Sequence, residues 1–311
     1  MQLFLQQFQL AAPLFALVLI GYLASRYGRL PLKVSAGLSR FVFTIAIPAL
    51  LFRLMSRLAL LPSVDFRLLF AYFGGCLVVF VCGRVWARAV FGLDGVSQSV
   101  FGLGGIFSNN VLLGVPLVRV ALGEAAMPAV ALVLVFNALL LWMLVTVSVE
   151  WARHGELSLR GFGATLRSVL TNPVVASILA GTAYGFAFGS LPPLIDLPLR
   201  LVGEAAGPLA LIALGMGLAE YGVRQGWRAG AAIATLKLLA LPMAVWVLTR
   251  VLGLSRIETQ VVVLLAALPV GVNVYLMSRE FRAIESAVAA GMVLSTILAA
   301  ATTPVLLAML A

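Results

Sequence analysis

The sequence of 311 residues is poor in the side chains on which enzymes and metal sites depend: it has one histidine, two cysteines and eleven acidic residues. Covalent catalysis needs a nucleophile with a base, and metal-assisted catalysis needs a cluster of carboxylate, histidine or cysteine ligands. No H-E-x-x-H motif, paired-aspartate motif or Walker phosphate loop occurs. We therefore expect neither an enzyme, such as a membrane-embedded acyl or phosphoryl transferase, nor a cofactor or metal site.

The cysteines and the charged residues disfavour other classes of protein. Cys76 and Cys82 fall in one hydrophobic stretch, so no disulfide framework is indicated. The net charge is +10, but there is no Lys/Arg run or polybasic tail, and nucleic acid is not an expected partner. The first ten residues contain no lysine or arginine, which argues against a secretory signal and for mature chain entering a first span.

Hydrophobic residues make up 63% of the chain, the mean hydropathy is +1.12, and only 10% of residues are charged. This composition predicts an all-α membrane protein in a lipid bilayer. A hydrocarbon core of roughly 30 Å needs about 20 apolar residues per helix, so the chain holds about ten transmembrane helices and no separate soluble domain. The predicted spans are 8–25, 36–55, 68–91, 98–120, 127–149, 168–188, 196–219, 229–252, 257–279 and 284–308.

Basic residues are divided unevenly between the two sides of these spans. Thirteen lie in or next to the first, third, fifth, seventh and ninth loops, and seven lie on the other side. The positive-inside rule places the richer side in the cytoplasm, so both termini are predicted to lie outside it.

Matching residues recur 160 positions apart in the two halves of the chain. The pairs are Pro13 and Pro173, Gly21 and Gly181, Pro48 and Pro208, and Asn109 and Pro269. They predict a five-helix repeat at 1–150, a short cytoplasmic linker at 151–167 and a second five-helix repeat at 168–311. Because five is odd, the second repeat is inverted in the membrane, an arrangement typical of secondary transporters.

Two spans in matching places of the halves are interrupted by polar and helix-weakening residues. Span 4 contains S-N-N at 108–110 with Gly114 and Pro116, and span 9 contains Pro269, Gly271 and Asn273. Irregular backbone at membrane depth is tolerated where it is buried in protein or lines a cavity. The second half of each broken helix would point free N–H groups at an anion. The alternative is that these residues only bond neighbouring helices.

One basic residue inside a span, and the absence of acidic residues from the middle of the spans, bear on the mechanism. Lys237 lies about 13 Å into span 8, counted at 1.5 Å per residue, where it could attract an anion or cap carbonyls freed at a helix break. No Asp or Glu falls in the middle of a span, and such a carboxylate is the usual proton or sodium relay. Coupling therefore stays open between uniport and proton symport through the carboxylate of the substrate.

The motif S-N-x-x-x-x-G-x-P-L at 108–117 resembles a signature of the auxin efflux carrier family, as does A-A-L-P-V-G-V-N at 266–273. The resemblance covers nearly the whole chain in order. Supporting stretches are I-P-A-L-L-F at 47–52, T-N-P-V-V-A-S-I-L-A-G at 171–181, G-P-L-A-L-I-A-L-G at 207–215 and L-K-L-L-A-L-P at 236–242.

The resemblance implies a ten-helix carrier of organic anions, with a scaffold of spans 1, 2, 6 and 7 and a transport unit in which broken helices 4 and 9 cross. Known substrates of the family are auxin in plants and malonate or malate in bacteria, and Asn109 matches the position that holds the carboxylate. Ser108 replaces the proline of plant members, and the central loop is short. Both departures fit a bacterial member in the inner (plasma) membrane with periplasmic termini. The resemblance also suggests a homodimer through the scaffold.

The resulting hypothesis is a secondary transporter that moves a small organic anion, a carboxylate, by alternating access at the helix 4/9 crossing. The predicted substrate-binding residues are Ser108, Asn109, Asn110, Pro269, Gly271, Asn273 and Lys237, and the predicted helix breaks are Gly114, Pro116 and Pro269. The alternatives are a sodium- or proton-coupled anion symporter of related fold and a membrane sensor that binds such a ligand without transporting it.

Overall fold

A computed structural model describes residues 2–28, 32–57, 65–154, 171, 173–219 and 226–310. Regular structure in these ranges is helical, and none of them contains a β-strand. The helices are α1 Gln2–Arg26, α2 Leu32–Phe41, α3 Ile47–Met55, α4 Arg67–Phe91, α5 Gly95–Ile106, α6 Val115–Leu122, α7 Met127–His154, α8 Pro173–Phe188, α9 Pro193–Leu218, α10 Trp227–Thr235, α11 Leu241–Val251, α12 Arg256–Ala266, α13 Val272–Phe281 and α14 Glu285–Leu310.

Several of these helices run on through irregular turns to form longer apolar units. Six described units are long and apolar enough to cross a membrane, so the chain is a multi-pass membrane protein: Lys33–Met55, Arg67–Phe91, Glu124–Arg153, Pro193–Leu218, Trp227–Val251 and Glu285–Leu310. Shorter apolar helices cover Ala12–Arg26, Asn110–Leu122 and Pro173–Phe188. Most of the predicted linker at 151–167 lies outside the described residues.

Local sequence fixes several helix ends. The Asp94 side chain accepts a hydrogen bond from the Ser97 N–H at 3.1 Å and so caps the start of α5. Ser255 and Glu258 form a reciprocal capping box at the start of α12. At the end of α4, Gly92 takes up the left-handed conformation with φ of 60°, which glycine adopts without a Cβ penalty.

Three helices pass through a single π-helical turn directly before a proline. The turns are Val42–Ala46, Asn110–Gly114 and Leu236–Ala240, and the prolines are Pro48, Pro116 and Pro242. A proline inside a helix removes a donor and clashes with the carbonyl four residues earlier. The widened turn gives that carbonyl room, so Pro116 marks a π-turn and the helix continues on both sides of it.

Glycines allow two pairs of helices to touch backbone to backbone. A Cβ on Gly21 of α1 would overlap the carbonyl oxygen of Ile212 in α9. A Cβ on Gly181 of α8 would lie 2.5 Å from the carbonyl oxygen of Phe52 in α3. These two close pairs fix the positions of α1, α3, α8 and α9 around the central breaks.

Candidate functional site

The two interrupted stretches meet in the middle of the protein. α5 ends at Ile106 and α12 ends at Ala266, and helical structure resumes at Asn110 and at Val272. Ser108 and Val270 form an isolated antiparallel bridge between them. The Asn109 N–H donates to the Pro269 carbonyl at 2.9 Å, and the Gly271 N–H donates to the Phe107 carbonyl at 2.8 Å. Each break thus satisfies backbone groups freed by the other.

Glycine is needed at Gly271 because the two segments pass so closely. A Cβ at this position would lie 3.0 Å from the Ser108 carbonyl oxygen and 3.0 Å from Cδ1 of Phe107. Its φ of −73° is available to any residue, so glycine is required by the lack of space for a Cβ and not by the backbone conformation. Gly114 is similarly confined, since its Cβ would lie 2.8 Å from Cδ1 of Leu268.

Helix resumes after each break and turns its amino end toward the same cavity. The first N–H groups of the second halves belong to Val111 and Leu112 in one chain segment and to Val272 and Asn273 in the other. No hydrogen bond from these four N–H groups is found within the described ranges, and all four residues line the cavity. Two helix amino ends that converge on one space favour an anion there.

A hydrogen-bonded cluster holds the S-N-N segment. The Asn110 amide donates to the Tyr72 hydroxyl at 3.1 Å and to Oδ1 of Asn137 at 3.5 Å. The Tyr72 hydroxyl donates to Oγ of Ser108 at 3.3 Å. All four side chains are buried, so the cluster fixes the break in one conformation.

The Asn109 amide differs from the Asn110 amide in its hydrogen bonding, although the two residues are adjacent and both are buried. The Asn109 side chain is 5% exposed, and its Nδ2 donor has no hydrogen-bond partner in the described structure. Leaving a buried donor unpaired costs about 1–3 kcal/mol. Oδ1 of Asn110 is also unpaired within the described residues. The break therefore offers one free donor and one free acceptor beside the helix amino ends.

The cavity at the crossing has a volume of about 520 Å³. Five residues predicted for the site line it: Ser108, Asn109, Asn110, Gly271 and Asn273. Pro269, Gly114 and Pro116 are not among its described lining residues. The described residues include no cluster of histidine, cysteine, aspartate or glutamate that could hold a metal ion.

Lys237 lies outside the cavity lining and is fully buried. Its ammonium group donates to the carbonyl of Ala266, the last residue of α12 before the break. Of the two roles that the sequence leaves open, this contact is the one expected for a cap on carbonyls freed at a helix break.

Sequence reasoning missed a polar stripe that α2 and its π-turn contribute to the wall of the cavity. The stripe comprises Ser35, Ser39, Arg40 and Thr44. Asn137 of α7 also lines the cavity and was not among the predicted site residues. Spacings of four residues, from 35 to 39 and from 40 to 44, are the helical signal that could have found the stripe.

The sequence was compared with protein families and with curated proteins. The model of the family described as "Membrane transport protein" matches residues 7–157 and 158–307. A protein of Rhizobium meliloti (strain 1021) named "Putative malonate transporter" is 29% identical over 94% of this chain and 92% of its own length. An uncharacterized transporter of Methanocaldococcus jannaschii is 22% identical over 81% of this chain and 82% of its own length.

A further relative is the lysosomal cholesterol signaling protein of Mus musculus, which is 25% identical over 92% of this chain. The match covers only 35% of that mouse protein. Since the family model covers nearly every residue, and since the S-N-N and P-V-G-V-N segments meet at one cavity, the chain belongs to the membrane transport proteins of the auxin efflux carrier family.

Proposed function

We propose that the protein is a carrier for a small organic anion and that the carboxylate of the substrate binds at the crossing of the two breaks. The observation that carries the proposal is the unpaired Nδ2 donor of Asn109, buried beside two helix amino ends in one cavity. A bound carboxylate would accept from this donor and from the N–H groups of Val272 and Asn273. Hydrogen bonds to a charged group stabilise by about 1.5–3 kcal/mol each.

Short carboxylates are the substrates that the cavity fits best. No Asp or Glu lines it among the described residues, so nothing there repels an anion. Its volume of about 520 Å³ suits a small molecule. The name of the relative from Rhizobium meliloti supports malonate as the first acid to test on this chain.

In this proposal, the chain consists of ten membrane helices in two inverted repeats. The repeats cover residues 1–150 and 168–311, and a linker at 151–167 joins them. Contacts related by a shift of 160 residues support it. The contact of Gly21 with Ile212 becomes the contact of Phe52 with Gly181 when the shift is applied to both partners. The contact between Asn109 and Pro269 pairs the same two positions after the shift, as expected if a pseudo-two-fold axis passes through the crossing.

Cavities on the two sides of the crossing support alternating access in this proposal. The crossing cavity extends to Ser35, Pro173 and Gly217, which flank loops of the Lys/Arg-rich side, so this conformation faces the cytoplasm in our proposal. A second cavity of about 430 Å³ lies beyond the break, between α1, α3, α6 and α9. Between them, a Cβ on Gly207 would lie 3.4 Å from Cβ of Pro116, so α6 packs closely on α9.

We place the protein in a bacterial inner membrane with both termini in the periplasm, because the loops richer in lysine and arginine face the cytoplasm. The described cavity lining holds no acidic side chain to relay a proton or sodium ion. Uniport, or proton symport through the carboxylate of the substrate, therefore fits this site better than sodium coupling.

Uptake of labelled malonate, malate and indole-acetate into proteoliposomes tests this function. We expect wild type to carry at least one acid and Asn109→Ala to carry it about 10- to 100-fold more slowly at low substrate, since one charged hydrogen bond is lost. Gln260→Ala is the control, because the Gln260 amide bonds the Leu310 carbonyl at 2.8 Å, away from the crossing cavity.

Full activity of a folded Asn109→Ala variant would make the break structural and contradict the site. Binding of an acid without uptake would favour a sensor.

A further inference from the structure

The crossing cavity has a charged wall that the carboxylate site at the breaks does not use. Among the described residues that line this cavity, Arg40 carries the one charge. It belongs to α2, which packs beside α9 and lines the cavity together with the breaks. Counting loop charges assigns Arg40 to the cytoplasmic surface, and the fold instead turns its position toward the cavity.

The guanidinium group of Arg40 is available to a ligand. Arg40 is exposed, and no hydrogen bond or ion pair to its guanidinium is found in the described part of the chain. Its backbone carbonyl is occupied, since it accepts from the Thr44 hydroxyl at 2.6 Å. That bond holds the start of the π-turn, so the helix that carries Arg40 is fixed while the guanidinium stays free.

Two other basic residues on the same side of the protein are already engaged. Arg84 donates to the Ser148 hydroxyl at 2.6 Å. Arg153 donates to the Phe281 carbonyl at 3.2 Å and lies over the Phe281 ring. Arg40 differs from both because it lines the crossing cavity, with Ser39 beside it in the wall, and no partner of its guanidinium is found among the described residues.

We propose that Arg40 forms a second anion subsite in the crossing cavity and makes the cavity select dianions over monoanions. This inference rests on the proposed function, in which the first carboxylate lies at the breaks. Guanidinium presents paired donors that match both oxygens of a carboxylate. A short dicarboxylate would then contact α2 through one end and the crossing through the other, whereas a monocarboxylate would use the breaks alone.

Equilibrium binding of malonate and of its monomethyl ester to the purified full-length protein tests the subsite. The two ligands share a carbon skeleton and differ by one charge. We expect wild type to bind malonate more tightly than the ester, and Arg40→Gln to weaken malonate binding by about 10-fold while changing ester binding by less than about twofold. Arg40→Lys is expected to recover part of the preference, because it restores a point charge without the paired donors.

Lys33→Gln is the matched control. Lys33 is exposed, lies on the same helix and does not line the cavity. It is seven residues from Arg40, which is about 10 Å along a helix. This variant should keep the wild-type preference for malonate.

Two results would overturn the subsite. One is malonate binding by Arg40→Gln that matches wild type. The other is an equal loss for both acids, since Arg40 would then only raise the local concentration of anions. Wild-type uptake of malonate into proteoliposomes is measured separately. Binding without uptake would contradict the carrier, and the malonate-to-ester affinity ratio of Arg40→Gln would still decide the subsite. A wild type that binds neither acid would overturn both proposals.

Discussion

The two breaks at the centre of the protein have the same backbone plan and different side-chain chemistry. The first break carries Asn109 and Asn110, both buried, and one of them has a free donor. The second carries Pro269 and Gly271, whose carbonyl and N–H hold the first break in place, and Asn273, which is only half-buried. In the site we propose, the first break therefore supplies the side-chain contact to the ligand, and the second supplies backbone N–H groups and the support for the first.

The supporting role of the second break extends to its neighbours. The Val270 N–H donates to the Ser295 hydroxyl at 3.0 Å, and the Ala266 carbonyl accepts from Lys237. Polar residues around this break thus pair with freed backbone groups. Around the first break, Tyr72 and Asn137 pair with side chains and leave the Asn109 donor unpaired.

The largest effect is expected from Asn109→Asp. The substitution keeps the shape of the side chain, replaces the free donor with an acceptor and adds a negative charge where we place the carboxylate of the substrate. Like charges at a desolvated contact cost several kcal/mol, so uptake should fall by about 100-fold or more. Proteoliposome uptake measures the change, with Gln260→Glu as the control for an added charge elsewhere; wild-type uptake by a folded Asn109→Asp protein would remove Asn109 from the site.

A smaller effect, on stability and not on chemistry, is expected from Gly271→Ala. The added Cβ would lie 3.0 Å from the Ser108 carbonyl oxygen, so the two breaks must move apart. Overpacking of this kind costs about 1–3 kcal/mol. Thermal unfolding in detergent should show a lower melting temperature, whereas Gly37→Ala should not lower it, since nothing lies within 4 Å of a Cβ there. Equal stability of the two variants would contradict the close crossing.

Lys237→Met separates the two roles open to this lysine. If Lys237 caps the first half of the second broken helix, its loss leaves the Ala266 carbonyl unpaired and lowers stability by about 1–3 kcal/mol. Affinity for malonate should then stay within about twofold of wild type. Binding titrations and thermal unfolding on the same preparation measure both quantities. Weaker binding at unchanged stability would instead make Lys237 a ligand for the anion.

The smallest effect is expected from Asn273→Ala. Asn273 lines the cavity, but it is half-buried, so water can replace its amide. Its backbone N–H, which the substitution keeps, is the group we place on the carboxylate. Uptake should fall by no more than about threefold, far less than for Asn109→Ala. Equal losses for the two alanine variants would show that both breaks supply side-chain ligands and would end the distinction between them.

The sequence located both breaks, because proline, glycine and asparagine are conspicuous in otherwise apolar spans. It could not tell which asparagine would be paired. Asn109 and Asn110 are adjacent in sequence, and only the position of Tyr72 on another helix separates their roles. The choice for Lys237 likewise depended on where the end of α12 comes to lie.

Arg40 shows a second limit of the sequence. In a soluble protein, an apolar stripe reveals the buried face of a helix, but a membrane helix is apolar toward lipid and protein alike. The polar spacing in α2 marks a polar face, but it does not indicate what that face meets, and Arg40 is counted with the loop charges. Helical packing brings the stripe of α2 to the same cavity as the breaks, and that packing depends on residues far away in the chain.

A structure of the protein determined with bound malonate tests the central claim most directly. We predict that one carboxylate lies within about 2.7–3.2 Å of Nδ2 of Asn109 and of a backbone N–H at Val272 or Asn273. Malonate bound away from these groups, with the Asn109 donor still unpaired, would contradict the claim that the crossing of the two breaks is the substrate site.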